Sequence, residues 1–190
     1  LIQGRFDGGD AEWLVSARRG YLDLLLDAVQ TDENDFEFDP AYYDVFAKVR
    51  RRVGRSSLLS FNILAAADDI EYRSDDDDDD LSSSWGDTYG WLKLDSAWGR
   101  LSQSTVLSYG RLDRERSGVS GSNHSDPFTP GAPGTTDRTL VSDERATDVA
   151  QLRHDWRLNL SERQHLRTGI EIRRLEADYD YSFVNLVTDP

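Results

Sequence analysis

The stretch AQLRHDWRLNLSERQHLRTGIEIR, residues 150–173, decides the fold. Its even positions read Ala150, Leu152, His154, Trp156, Leu158 and Leu160, and its odd positions Gln151, Arg153, Asp155, Arg157 and Asn159. That is period-two alternation, which places apolar groups on one face of a strand and charges on the other. After Ser161-Glu162-Arg163-Gln164 the pattern resumes, with Leu166, Thr168, Ile170 and Ile172 opposing Arg167, Gly169, Glu171 and Arg173. Two strands joined by a short polar connection make a β-hairpin.

Working outward, the same plan recurs. Tyr43, Val45, Ala47 and Val49 alternate with Asp44, Phe46, Lys48 and Arg50, and Leu59, Phe61, Ile63 and Ala65 with Ser60, Asn62, Leu64 and Ala66. Gly54-Arg55-Ser56 turns between those two. Residues 89–98 and 103–114 read as two more strands across Gly99-Arg100, and residues 1–6 as the tail of another before Gly8-Gly9. Residues 13–29 are open to two readings. Trp13, Ala17, Tyr21, Leu24, Leu25 and Ala28 fall at helical spacing, whereas the preceding Gly8-Gly9 turn favours a strand whose far end, residues 24–29, coils into a short helix. Short turns alternate with long polar loops expected at 30–40, 74–84, 117–143 and from Asp180 onward. Pro40, Pro127, Pro130, Pro133 and Pro190 are all assigned to those loops or their edges, since proline cannot donate to a sheet ladder. The fold class is all-β: an antiparallel up-and-down meander of about eight strands.

The chain has 190 residues, no cysteine and a net charge of −14. Disulfides, thiolate metal sites and cysteine nucleophiles are excluded, and the acidic balance argues against a nucleic-acid partner. No apolar run approaches the ~20 residues of a membrane-spanning helix. With Leu1 first, methionine absent and no basic-then-apolar opening, the expectation is an internal piece of a longer protein.

Such a meander is either a soluble sandwich or part of a transmembrane β-barrel. In the sandwich the apolar face is a core; in the barrel it meets lipid and the charged face lines the lumen. Long strands, loops that are short at one end and long at the other, and aromatic side chains near strand ends favour the barrel. The aromatics are Trp13, Trp85, Trp91, Trp98 and Trp156, with Tyr42, Tyr43, Tyr89, Tyr179 and Tyr181. Lys48, Arg50, Arg153, Asp155, Arg157, Arg167, Glu171 and Arg173 are then the lumen-facing candidates for ligand binding. A mixture of signs suits a wet lumen and would need full pairing in a dry core.

Residues 12–25, EWLVSARRGYLDLL, resemble the early-barrel strand of TonB-dependent outer-membrane receptors, and so do FDPAYYDVFAK at 38–48 and LSFNIL at 59–64 before Asp68-Asp69. The resemblance implies that residues 1–190 are part of a receptor barrel, 22-stranded in the family, that lacks its plug domain, TonB box and closing strand. It further implies a Gram-negative cell outer membrane and TonB-energised uptake of a scarce nutrient such as a ferric siderophore or cobalamin. The implied partners are outer-membrane lipid and lipopolysaccharide, a small-molecule ligand, and TonB through the missing N-terminal part. The alternatives are a small outer-membrane pore or structural barrel, and a secreted ligand-binding β-sandwich.

Nothing in the sequence points to an enzyme or a cofactor. Ser16, Ser60 and Ser108 have no His/Asp arrangement around them, and His124, His154 and His165 lack metal spacing. Residues 118–134 are too irregular for a phosphate loop and read as a recognition loop. Six consecutive aspartates, Asp75 through Asp80, read as a solvated acidic loop, with divalent-cation binding as the competing role.

Overall fold

In the computed structural model the described residues are 1–6, 8–22, 36–74, 79–124 and 135–188. They form one eight-stranded antiparallel sheet in which every strand pairs with its sequence neighbours. The strands are β1 (Ile2–Arg5), β2 (Ala11–Arg19), β3 (Phe36–Val53), β4 (Ser57–Ser74), β5 (Asp79–Trp98), β6 (Leu101–His124), β7 (Thr135–Ser161) and β8 (Gln164–Thr188). The sheet is open, with β1 and β8 as its edges. No helix among the described residues is long and apolar enough to cross a membrane.

Glycine makes the tight turns possible. Gly54 and Gly99 sit at φ of 65° and 56°, where a side chain would strain the backbone. The ambiguity at 13–29 resolves as strand through Arg19, and residues 23–29 lie outside the described set.

The strands run further than the alternation suggests. Four segments read as loop, 36–40, 79–84, 117–124 and 135–143, are strand, and β8 continues past Asp180 to Thr188. Asp79 and Asp80 therefore belong to β5, while Asp75 to Asp78 lie outside the described residues. His124, assigned to a loop, ends β6. Pro40 is also inside a strand, opposite Ile70. The Gly20 amide donates to the Tyr42 carbonyl, so Tyr42 and, two residues earlier, Pro40 direct their backbone groups toward β2. The β2 pairing ends at Tyr43, so the missing proline N–H falls where no ladder bond is owed.

Register sorts the side chains into two faces. On one, Lys48, Asn62, Trp91, Ser108, Gln151 and Arg173 share a row; call it the Lys48 face. On the other, Phe61 lies beside Val49 and Leu92; call it the Phe61 face. In β3 and β4 the two differ in exposure, with Phe61 52% and Val49 42% exposed against Asn62 3% and Asp44 5%, whereas along β8 both faces are exposed. Among the described residues no hydrophobic side chain is buried. A single-layer sheet gives its apolar residues nothing to pack under, so among the described residues they stay exposed.

On the Phe61 face the apolar residues form a band. It runs through Tyr43 to Val49, Leu59 to Ala67, Trp98 to Gly90, Leu101 to Tyr109, Leu158 to Ala150 and Leu166 to Ile172 at alternate positions. Beyond it the outward residues turn charged: Asp69, Arg111, Asp148 and Arg174. Trp13 and Trp98 mark its turn-side edge, Tyr43 and Tyr109 its other edge, and Trp156 sits inside it. The expectation that the aromatics cluster at strand ends is thus corrected. Most sit mid-strand because the strands overrun the band, and Tyr42, Trp85, Tyr89, Trp91, Tyr179 and Tyr181 lie on the Lys48 face instead.

The hairpins are staggered. The row through Ser57, the first residue of β4, meets Ser96 and Gln103, each two residues inside its turn, and then Trp156 and Thr168, five and four residues inside theirs. That is about one residue per strand. With turns held in one plane, a ~3.3 Å rise against a ~4.8 Å strand spacing tilts the strands by roughly 35°, within the range for barrels. A nine-residue band at that tilt spans about 24 Å, close to the ~25 Å apolar belt of outer-membrane barrels.

Candidate functional site

All eight lumen-facing candidates fall on the Lys48 face, in two groups. Lys48 and Arg50 belong to β3; Arg153, Asp155, Arg157, Arg167, Glu171 and Arg173 belong to β7 and β8. Three strands separate the groups, and the row from Lys48 to Arg173 is roughly 24 Å long at ~4.8 Å per strand. The structure does not gather them into one pocket.

Each group is partly neutralised by local ion pairs. Glu12 accepts a 2.7 Å hydrogen bond from Arg50 Nε and lies 3.6 Å from Arg5. Arg18 Nε donates to Asp44 at 2.9 Å, and the Tyr42 hydroxyl donates to the same buried carboxylate. Across the sheet the pairing is along the strand, at i and i+2: Arg153 with Asp155 at 2.7 Å, Arg173 with Glu171 at 3.0 Å, Lys93 with Asp95 at 2.9 Å. Residues two apart on a strand share a face, so an Arg-x-Asp or Glu-x-Arg repeat builds a ladder of ion pairs without any tertiary packing.

One step to the loop side of both groups runs an apolar row the sequence reading missed: Phe46, Leu64, Tyr89, Gly110, Val149 and Leu175. Phe46 stacks on Trp91 at 6.0 Å, and Asn62 Nδ2 donates to the Trp91 carbonyl. The Tyr89 ring covers Gly110, where an added Cβ would meet it at 2.6 Å. A short cross-strand counterpart of aromatic rescue explains this glycine: its bare backbone leaves room for the ring.

A third cluster, also missed, stands on the loop side of the same face. Arg145 lies over the Tyr179 ring at 4.8 Å, Tyr179 stacks on Tyr181, and Arg145 bonds Asp143 at 2.6 Å. The Arg145 hydrogen bond holds the Asp143 carboxyl below its ordinary value of 3.8. The signal was in the sequence: from Leu175 the apolar residues occupy odd positions, 175, 177, 179, 181 and 183, where before Arg173 they occupied even ones.

On the Phe61 face, within the apolar band, His154 is satisfied by a 2.7 Å hydrogen bond between its Nδ1 and Thr105 Oγ1, and its ring meets Trp156 edge-on at 4.0 Å. His154 and His165 are on strands β7 and β8, and the register pairs them with Ile170 and Asn159 respectively. Among the described residues no three His, Asp or Glu side chains converge as metal ligands. The Lys48 face presents charged ladders, stacked aromatics and hydroxyls.

No protein-family model matches the chain, and no curated protein matches it. The receptor resemblance rests on the residues quoted for it.

Proposed function

We propose that this chain forms part of the wall of a β-barrel in the outer membrane of a Gram-negative bacterium, and that the barrel is a ligand-uptake receptor of the TonB-dependent kind. The observation that supports the membrane reading is the band on the Phe61 face. It keeps about the same height in six strands, is edged by tryptophan and tyrosine, gives way to charge on the loop side, and accompanies a sheet with no buried hydrophobic side chain among the described residues. Lipid covers the band in this reading, and the Lys48 face lines the lumen. The receptor reading draws on the sequence resemblance and on strands of 18 to 27 residues in β3 to β8, well beyond the ~9–11 needed to cross a bilayer. Strands of that length raise a polar, aromatic-lined wall outside the membrane where a small molecule can be held. Passage follows binding, with no bond made or broken in the ligand.

Reconstitution into phospholipid vesicles tests the membrane reading. The expected result is β-sheet circular dichroism that requires lipid or detergent, with protease cutting the loop-side segments and sparing the band. A monodisperse, detergent-free, β-structured monomer would mean a soluble sheet protein instead. The receptor reading is tested separately by the flanking gene sequence, where a plug domain and TonB box upstream of Leu1 are expected.

A further inference from the structure

Charge is divided unequally between the two halves of the sheet. The turn-side segments 3–14, 48–62, 91–107 and 151–173 carry 13 Lys+Arg against 7 Asp+Glu, and the rest of the chain 9 against 29. In an acidic protein, the turn side is a basic island. A groove opens there on the Lys48 face, running from Arg52 past Asp95, Ser102 and Ser104 to Arg157 and Arg167.

Two of these arginines are placed against ordinary sheet chemistry. Arg157 and Arg167 are direct cross-strand partners, and like charges in that position repel. The carboxylates that line the groove are engaged elsewhere: Asp155 with Arg153 at 2.7 Å, Asp95 with Lys93 at 2.9 Å. Arg167 faces Asp155 only from beyond ion-pair distance. Ser102 is the direct partner of Arg157 on its other side, so a guanidinium pair and a hydroxyl stand in one row. Arg52 and Arg55 extend the positive potential along the groove. We propose that the row Ser102–Arg157–Arg167 is a binding site for a phosphate-class oxyanion. The anion accepts hydrogen bonds from both guanidinium groups and offsets their repulsion, since among the described residues no carboxylate stands within ion-pair distance of either. The site lies on the turn side, opposite the loop end where a receptor would meet its external ligand, and it follows from the groove whether lipid or protein covers the Phe61 face.

The test is calorimetric titration of the folded full chain, in zwitterionic detergent, with inorganic pyrophosphate. Wild type is expected to bind saturably, more weakly as salt rises. R157Q/R167Q should weaken binding at least tenfold, whereas R174Q, on the Phe61 face and paired with Glu176, should leave it unchanged. A second readout separates a binding role from a structural one. Without anion, R157Q alone should raise the thermal midpoint by relieving the repulsion, and it should lose the further rise that pyrophosphate gives wild type. If the double variant does not fold, R157Q alone and R52Q/R55Q serve in its place. Absence of saturable binding, equal loss in R174Q, or binding by R157Q/R167Q at wild-type strength would each overturn the assignment.

Discussion

The two halves of β8 carry opposite patterns on one continuous strand. From Leu166 to Ile172 the apolar residues lie on the Phe61 face and the charges on the Lys48 face; from Arg174 to Asp180 the charges lie on the Phe61 face, and Leu175, Ala177, Tyr179 and Tyr181 on the other. No bulge separates the halves, since the only register irregularity lies near the turn, between Asn159 and Ser161. The side-chain pattern, not the backbone pairing, changes at Arg173. In the proposed barrel this inversion is the level at which lipid gives way to water on the Phe61 face. Grooves follow the same division. The one at the turn side opens on the Lys48 face, while Asp69, Asp113, Glu144 and Asp178 border one at the loop side on the Phe61 face. A twisted sheet is a saddle, hollow on opposite faces along its two diagonals.

Charge introduced into the band should break this comparison most visibly. Ile170→Arg puts a guanidinium in the middle of the turn-side apolar surface, and about 2–4 kcal/mol of folding stability in vesicles should be lost in urea titration. Asp178→Arg, eight residues along the same strand and face, should change it by less than ~0.5 kcal/mol. Equal effects would mean that the level at Arg173 separates nothing.

Next in size is Gly110→Val. An added side chain meets the Tyr89 ring at 2.6 Å, so the ring must leave its place, at a cost of about 1–3 kcal/mol in the same titration. Tyr89→Ala in the same chain should recover part of that loss, because the obstructing ring is gone.

Thr105→Val sharpens the turn-side half. It strips His154 of its partner inside the apolar band, which should cost about 1 kcal/mol, and T105V/H154L should return close to wild type because both polar groups are then gone.

The smallest effect belongs to the loop-side half. Asp143 keeps its carboxyl below the ordinary 3.8 through Arg145. A carboxyl whose folded value is lowered stabilises the fold above its unfolded value, and loses that contribution as pH falls through the lowered one. Asp143→Asn should therefore reduce stability slightly at neutral pH and not at all in strong acid. The pair is exposed on its arginine side, so the difference between the two stability–pH curves should be small and should shrink further in high salt.

These contrasts also explain how much was legible beforehand. Residues 150–173 spell out a hairpin because one face meets apolar surroundings throughout, and alternation is the trace of that. Residues 117–121 and 138–143, read as loop, lie outside the band, where small or polar residues predominate on both faces, and strand and loop then look alike. Pro40 misled for a related reason: only the pairing length of β2 shows that its missing donor is harmless. At the candidate site, the shared face of Lys48, Arg153 and Arg173 followed from alternation alone. Their separation by three strands did not, nor did the opposition of Arg157 and Arg167, because hairpin stagger is fixed by pairing and not by composition.

The open side of β8 has a further consequence. Its 25 residues present a backbone donor and acceptor at every second position, about twelve such pairs with no strand beside them among the described residues. A newcomer strand aligned there would receive its register ready-made, and slippage by one residue would exchange what it shows to either side. A further strand of a barrel pairing there extends the sheet, whereas a second copy of the same edge closes it as a symmetric pair or seeds a fibre.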